Sequence, residues 1–385
     1  MRSDFVIKLI EAFNNNDEEN FKKTVLELSE EERKKGNVQL ANKITTSLKS
    51  RNISPSAQRR ESTFSPSSGL KMFEPTGMYT PRDKTSNNSL IDWYHPQEIQ
   101  QDSLILSNAI SGQIEYIINE YKNRDQLIKL GLNFENRLLL CGPPGCGKTS
   151  TAFSLSKSLS LPLAYVRLDS LISSLLGQTG TNIRKIFESV NKKNVILFLD
   201  EFDAIAKKRD DKNELGELKR VVNTLLQNID MLSEDVLVIA ATNHQELLDA
   251  AVWRRFNTVL YLELPDQEMR VNYLETQLKK FELNIQADIK KVANISKGFN
   301  FSQLHDVVVK TVKNALFHQK RILISTADFV KTITNMLLLF NESAVDASYL
   351  HLLKGNGLTL REISEITGVP KSTISDRIKE LNKVE

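Results

Sequence analysis

The chain has 385 residues, 40% hydrophobic and 26% charged, the proportions of a globular protein of two or three domains rather than a disordered or fibrous one. A net charge of +3 gives no strong overall field for drawing in nucleic acid, and two cysteines are too few for a disulfide framework. No run of 18 apolar residues is present, and Met1–Asp4 leads into an amphipathic pattern, so neither a membrane span nor a secretory leader is expected.

Residues 1–49 carry apolar side chains at helical spacing (Phe5, Leu9, Phe13, Phe21, Val25, Leu28), which predicts a small helical accessory unit. A core that short is marginal alone, and a docking bundle and a recognition module fit the pattern equally. The stretch 50–90 then holds nine serines and four prolines with only isolated apolar residues, and a flexible linker is predicted over 50–102. Over 103–265 apolar runs alternate with helical patterns. Strands are predicted at Arg137–Cys141, Leu163–Leu168, Val195–Asp200, Val236–Ala241 and Thr258–Leu262, and helices through Ile183-Ile186-Phe187-Val190 and Leu218-Val221-Val222-Leu225-Leu226. Continuous apolar runs suit a parallel sheet covered on both faces, so a doubly wound α/β domain is expected. After Pro265 the pattern is helical throughout, a separate helical domain over 266–340 and a last unit over 341–385.

The densest chemical signal is Gly142-Pro143-Pro144-Gly145-Cys146-Gly147-Lys148-Thr149, which follows the apolar run Leu138-Leu139-Leu140 and fits G-x-x-x-x-G-K-[ST] at every fixed position. Glycines let backbone N–H groups curl around a polyphosphate, and the helix opening at Lys148, Thr149 and Ser150 offers its free amides to the same anion. Lys148 supplies charge to the β- and γ-phosphates, and the Thr149 hydroxyl suits Mg²⁺. The implied ligand is a nucleoside triphosphate. Asp200-Glu201 closes the run Val195–Leu199, where a strand end delivers carboxylates beside the loop. Asp200 fits a metal-holding role through water, and Glu201 a general base for an attacking water. Nucleotide chemistry and sparse cysteine together point to a reducing cytoplasm.

With these motifs in place, residues 103–335 resemble the AAA family of ATPases in the AAA+ superfamily. The resemblance implies a P-loop AAA+ fold, a doubly wound parallel sheet with a C-terminal helical lid. It also implies ATP and Mg²⁺ as ligands and a homo-oligomeric ring, a hexamer, that remodels or unfolds a partner macromolecule, a protein client or a separate protease among the possible partners. The layout is similar to small stand-alone bacterial AAA ATPases with a helical N-terminal unit, some paired with a separate protease. Val236–Asn243 (VLVIAATN) resembles the strand that ends in the family's first sensor, here Asn243; an amide there also fits a cap for the turn at Gln245. Leu248–Phe256 resembles the arginine-finger segment, which implies that Arg254 and Arg255 complete a neighbour's site. Gly298–Leu304 sits where other branches carry a second-sensor arginine; here Gly298 and Ser302 stand toward the nucleotide, or Ser302 caps a helix. Leu171–Gln178 corresponds to the substrate-gripping pore loop with Leu175 at its aromatic position, a smaller gripping surface than Tyr or Phe.

Leu358–Ile378 resembles a helix-turn-helix, with Gly368 at the turn and Lys371, Ser372, Thr373 and Arg377 outward. Residues 357–385 hold five basic and five acidic side chains, so this unit has no surplus charge for phosphate neutralisation. DNA readout and protein contact both remain compatible with it, and repetition around a ring adds avidity to weak sites.

Overall fold

The computed structural model describes residues 24, 27, 79–83, 87–99, 104–168, 176–206, 215–281, 283–317, 323–340 and 345–384. Apart from Thr24 and Glu27, which are helical, the expected helices of residues 1–49 lie outside them, as does the pore-loop position Leu175. The chain separates into two units, Met1–Phe64 and Ser65–Glu385.

The second unit is built around a six-stranded sheet in the order β1-β3-β4-β5-β2-β6. The strands are β1 (Asp92–Tyr94), β2 (Arg137–Cys141), β3 (Leu163–Arg167), β4 (Val195–Asp200), β5 (Val236–Thr242) and β6 (Thr258–Tyr261). β2 through β6 are parallel, and β1 runs antiparallel along the edge of β3. The five predicted strands all occur, to within a residue or two at their ends. Alternation splits each strand between two cores. Leu139, Val166, Leu197 and Val238 meet α4 (Leu176–Val190) and α6 (Leu215–Met231) on one face. Leu138, Tyr165, Phe198 and Ile239 meet α1 (Asn108–Lys122) and α3 (Lys148–Leu159) on the other. Short helices α2 (Arg124–Lys129), α5 (Asp203–Ala206) and α7 (Ala250–Trp253) fill connections.

The linker expectation fails over residues 79–99. Ile91 and Trp93 are buried in one core, Tyr94 and Ile99 in the other, and the buried Asp83 carboxylate accepts from the Asn182 amide of α4. Serine-rich flanks hid three residues whose partner strand lies 70 positions away in sequence, Asp92 pairing with Tyr165. Deleting residues 1–78 is therefore expected to leave the melting temperature of the remaining chain within a few degrees. Deleting 1–94 removes three nearly buried apolar side chains, roughly 1.5–3 kcal/mol each, and should yield insoluble or early-melting protein. Equal melting of the two truncations in a thermal scan would show that β1 adds nothing to the fold.

The lid consists of α8 (Gln267–Leu278), α9 (Ile289–Ile295), α10 (Phe301–Phe317) and α11 (Thr326–Phe340), and it is not wholly helical as expected. β7 (Asn284–Gln286) and β8 (Leu323–Ser325) form a two-stranded parallel sheet. The terminal helices α12 (Ala347–Gly355), α13 (Leu360–Thr367) and α14 (Lys371–Val384) were expected to form a unit of their own. Instead Leu350, Leu353, Ile363, Ile374 and Ile378 share one buried core with Leu304, Val308, Phe329 and Ile333 of the lid. Tyr349 of α12 and Thr334 of α11 meet through a buried hydroxyl–hydroxyl hydrogen bond of 2.9 Å. α13 and α14 are joined by the short turn Gly368–Pro370. Thr359 and Glu362 form a reciprocal capping box at the start of α13, and Gly368 turns the chain at φ 73°, a conformation glycine adopts without strain. Where the lid begins, the buried guanidinium of Arg270 donates to the Pro265 carbonyl (2.7 Å) and the Ala293 carbonyl (2.8 Å).

Candidate active site

Parallel strands aim their carboxyl ends at one rim of the sheet, where open α/β folds keep their ligands. β2 runs into the loop Gly142–Gly147, and α3 starts at Lys148 directly behind it. The loop turns through Gly142 at φ 140°, Gly145 at 73° and Gly147 at 95°, a region costly for residues with a Cβ. Pro143 and Pro144 are exposed, as is Ser150, while Cys146 and Lys148 are buried. The Lys148 ammonium donates to the carbonyls of Gly142 (2.6 Å) and Pro143 (2.8 Å), and burial pulls its pKa below the usual lysine value. Burial pushes the Cys141 thiol up to about 11 and raises Cys146 as well, so neither is a reactive thiolate at neutral pH.

Two other strand ends arrive beside this loop. At the end of β4, the Asp200 carboxylate accepts from the Tyr165 hydroxyl at 2.8 Å and the Thr149 hydroxyl at 3.4 Å on Oδ2, and from the Glu201 amide at 2.9 Å on Oδ1. Glu201 takes the left-handed conformation at φ 53°, a sparsely populated place for a residue with a side chain. At the end of β5, Asp203 Oδ1 accepts from the Thr242 hydroxyl (2.8 Å) and the Asn243 amide (3.4 Å), which fixes the backbone at Asn243. The Asn243 side chain is half-buried and does not cap the following turn, Gln245–Leu247, which has no side-chain cap. Phe202 N–H donates to the Ala241 carbonyl (2.8 Å) and joins the two strand ends.

From the lid, Phe301 N–H donates to the Gly145 carbonyl (3.1 Å). A methyl group on Gly145 would come within 2.7 Å of the Ser302 hydroxyl and 2.8 Å of the Asn300 side chain, so glycine is needed for the close approach. Asn300, not Ser302, caps α10: it accepts from Gln303 N–H (2.8 Å), and the Gln303 side chain accepts from Asn300 N–H (2.9 Å). Gly298 turns the chain just before, at φ 86°. Between loop and lid lies a cavity of about 280 Å³ lined by Ile105, Leu106, Cys146, Leu262, Met269 and Phe301 among others. Ser107, Glu263 and Asp266 also line this slot beside the glycine loop, so its wall is mixed, part apolar and part polar. Its walls come from four separate stretches of chain, so no local pattern announced it.

Arg254 and Arg255 are elsewhere. Asn257 N–H donates to the carbonyl of Arg137, the first residue of β2, whereas the glycine loop follows its last. Arg255 is bound within its own chain, donating to the Ala251 carbonyl (2.9 Å) and pairing with Asp230 (3.3 Å), which also pairs with Arg137 (3.5 Å). Arg254 is exposed, and its side chain has no hydrogen bond or ion pair among the described residues.

A glycine loop running from an inner strand into a helix, beside carboxylates at the end of β4 two places along the sheet, defines an α/β P-loop nucleotide-binding protein with an AAA+ strand order and a helical lid. A model of the ATPase family associated with various cellular activities (AAA) matches residues 138–264. The chain is also 33% identical over 333 residues to an uncharacterized AAA family ATPase, y4kL, of Sinorhizobium fredii, covering 86% of this chain and 94% of that protein. The chain belongs to the AAA family of ATPases.

Proposed function

We propose that this ATPase works as a ring of like subunits, hydrolyses ATP with Mg²⁺, and uses the cycle to remodel a partner protein. The observation that carries it is the division of the chemistry between the two ends of the sheet. The glycine loop, Asp200, Glu201 and Asn243 follow strand ends at one rim, while the exposed Arg254 precedes the start of β6. A five-residue strand at about 3.3 Å per residue puts these rims roughly 13–16 Å apart, so Arg254 supports service to a neighbouring subunit rather than its own. Arg255, held by Asp230, sets the turn from which Arg254 projects.

The donor set fits Mg²⁺. The Thr149 hydroxyl and Asp200 carboxylate are hard oxygens already within 3.4 Å of each other. Among the described residues no cluster of three His, Cys, Asp or Glu exists, as suits a metal that keeps its waters and phosphate oxygens. Thr149 and Asp200 would hold it, and it would neutralise charge on the β- and γ-phosphates. Lys148, released from the loop carbonyls, supplies a second positive charge there. The loop amides of Gly142–Gly147 bind the phosphates, and Ser150 and its neighbours extend the helix that faces them. The slot between loop and lid holds the base, with the lid at Gly298–Ser302 closing over it. Glu201 takes the proton of an attacking water that Asn243 orients.

A second reading rests on the exposed outer face of α14, where Lys371, Ser372 and Arg377 project from a helix-turn-helix, and duplex DNA is the partner it would read. ATPase assays separate the two. An unfolded model protein added to the full chain should stimulate turnover several-fold, with duplex DNA inert. Stimulation by DNA together with a mobility shift would give preference to the second reading, and no response to the unfolded protein would remove the first.

A further inference from the structure

We propose that Tyr165 is a positioning residue for metal-dependent nucleotide binding: its hydroxyl holds the Asp200 carboxylate in the orientation that receives the metal–ATP complex. The inference rests on the reading of Asp200 as the metal-side carboxylate and extends that site onto a different strand.

The placement follows from register. β3 and β4 pair with Arg167 opposite Asp200 and Tyr165 opposite Phe198, so Tyr165 lies diagonally behind Asp200 on the same face of the sheet, the face that α3 covers. Its ring is buried and fixed from three sides. Phe153 of α3 stacks on it at 6.4 Å and 16°, Phe198 packs at 5.4 Å, and Tyr94 of β1 meets it edge-on at 6.2 Å. A ring held this way aims its hydroxyl without adjustment, and that hydroxyl donates to Asp200 Oδ2 at 2.8 Å.

The bond has a purpose that packing alone does not supply. The terminal torsion of an aspartate is soft, and the other side-chain donor to Oδ2 is Thr149, at a long 3.4 Å. Thr149 has one hydroxyl and is itself needed at the metal, so it is a poor permanent anchor for Asp200. Partners that orient a metal-binding carboxylate typically change metal affinity or activity by about 10–100-fold when removed. Phenylalanine at 165 would keep the aromatic packing and remove only the oxygen.

The test measures ATP affinity by calorimetry in full-length protein carrying Glu201→Gln, once with Mg²⁺ and once with a chelator, and the melting temperature alongside. Tyr165→Phe should lose about tenfold of the Mg²⁺-dependent gain in affinity, with affinity in chelator and melting temperature little changed. In otherwise wild-type protein the Mg²⁺ concentration giving half-maximal turnover should rise by a similar factor. Adding Tyr165→Phe to Asp200→Asn should cost nothing further, because the two residues act through one bond. If Tyr165→Phe keeps the whole Mg²⁺ gain while Asp200→Asn loses it, the positioning role is wrong and the site stands. If Asp200→Asn keeps it as well, the site reading fails with it. An equal loss with and without Mg²⁺ would make the hydroxyl merely structural and overturn the proposal.

Discussion

Arg254→Ala is expected to lower turnover by about three orders of magnitude, the scale of a trans arginine in other nucleotide hydrolases, while ATP binding survives. The substituted residue is exposed and has no side-chain hydrogen bond or ion pair among the described residues, so stability should change little. The site in such a subunit still has its base and lacks only a cation from next door. Mixing with Glu201→Gln subunits, which lack the base and keep the arginine, should therefore recover activity. At equal mixing about a quarter of subunit interfaces pair an intact base with an intact arginine, and recovery should follow the ratio and vanish on dilution. Arg255→Ala should behave differently. It breaks a half-exposed ion pair with Asp230 and a hydrogen bond to the Ala251 carbonyl, which disturbs the turn but removes no projecting charge. Wild-type turnover from Arg254→Ala alone, or activity independent of protein concentration, would end the shared-site reading.

The second large effect separates binding from chemistry. Lys148→Ala should abolish ATP binding and turnover together. It removes the cation nearest the phosphates and leaves the Gly142 and Pro143 carbonyls without their present donor. Glu201→Gln should bind ATP at near wild-type affinity and turn over at least about a hundredfold more slowly, the scale of losing a general base. A fluorescent nucleotide and a phosphate-release assay read the two properties independently. Near-normal release from Glu201→Gln would mean that another group takes the proton.

The sheet was legible because strands buried on both faces write themselves as unbroken apolar runs; Val195–Leu199 and Val236–Ala241 could not be surface structure. The glycine loop was legible because its chemistry restricts residue types at fixed spacing. β1 escaped for the opposite reason: Asp92-Trp93-Tyr94 is short and lies on an edge after a serine-rich stretch, and its strand identity comes from pairing with β3. Tyr165 and Asp203 escaped because their partners are set by register and by strand ends meeting in space, which spacing along the chain does not encode. The difference between Arg254 and Arg255 depends on Asp230, 25 residues from Arg255 in sequence. Helical periodicity gave α12–α14 their apolar faces but not the lid helices those faces are buried against.

That shared core has a thermodynamic consequence. Because α14 is packed into the same body as α10, whose first residue donates to Gly145, any change in the orientation of that body would move the outer surface of α14 and the cavity beside Gly145 together. Linkage then runs both ways. Any molecule that grips the outer face of α14 in one lid orientation more tightly than in another must alter ATP affinity by the same factor by which ATP alters its own.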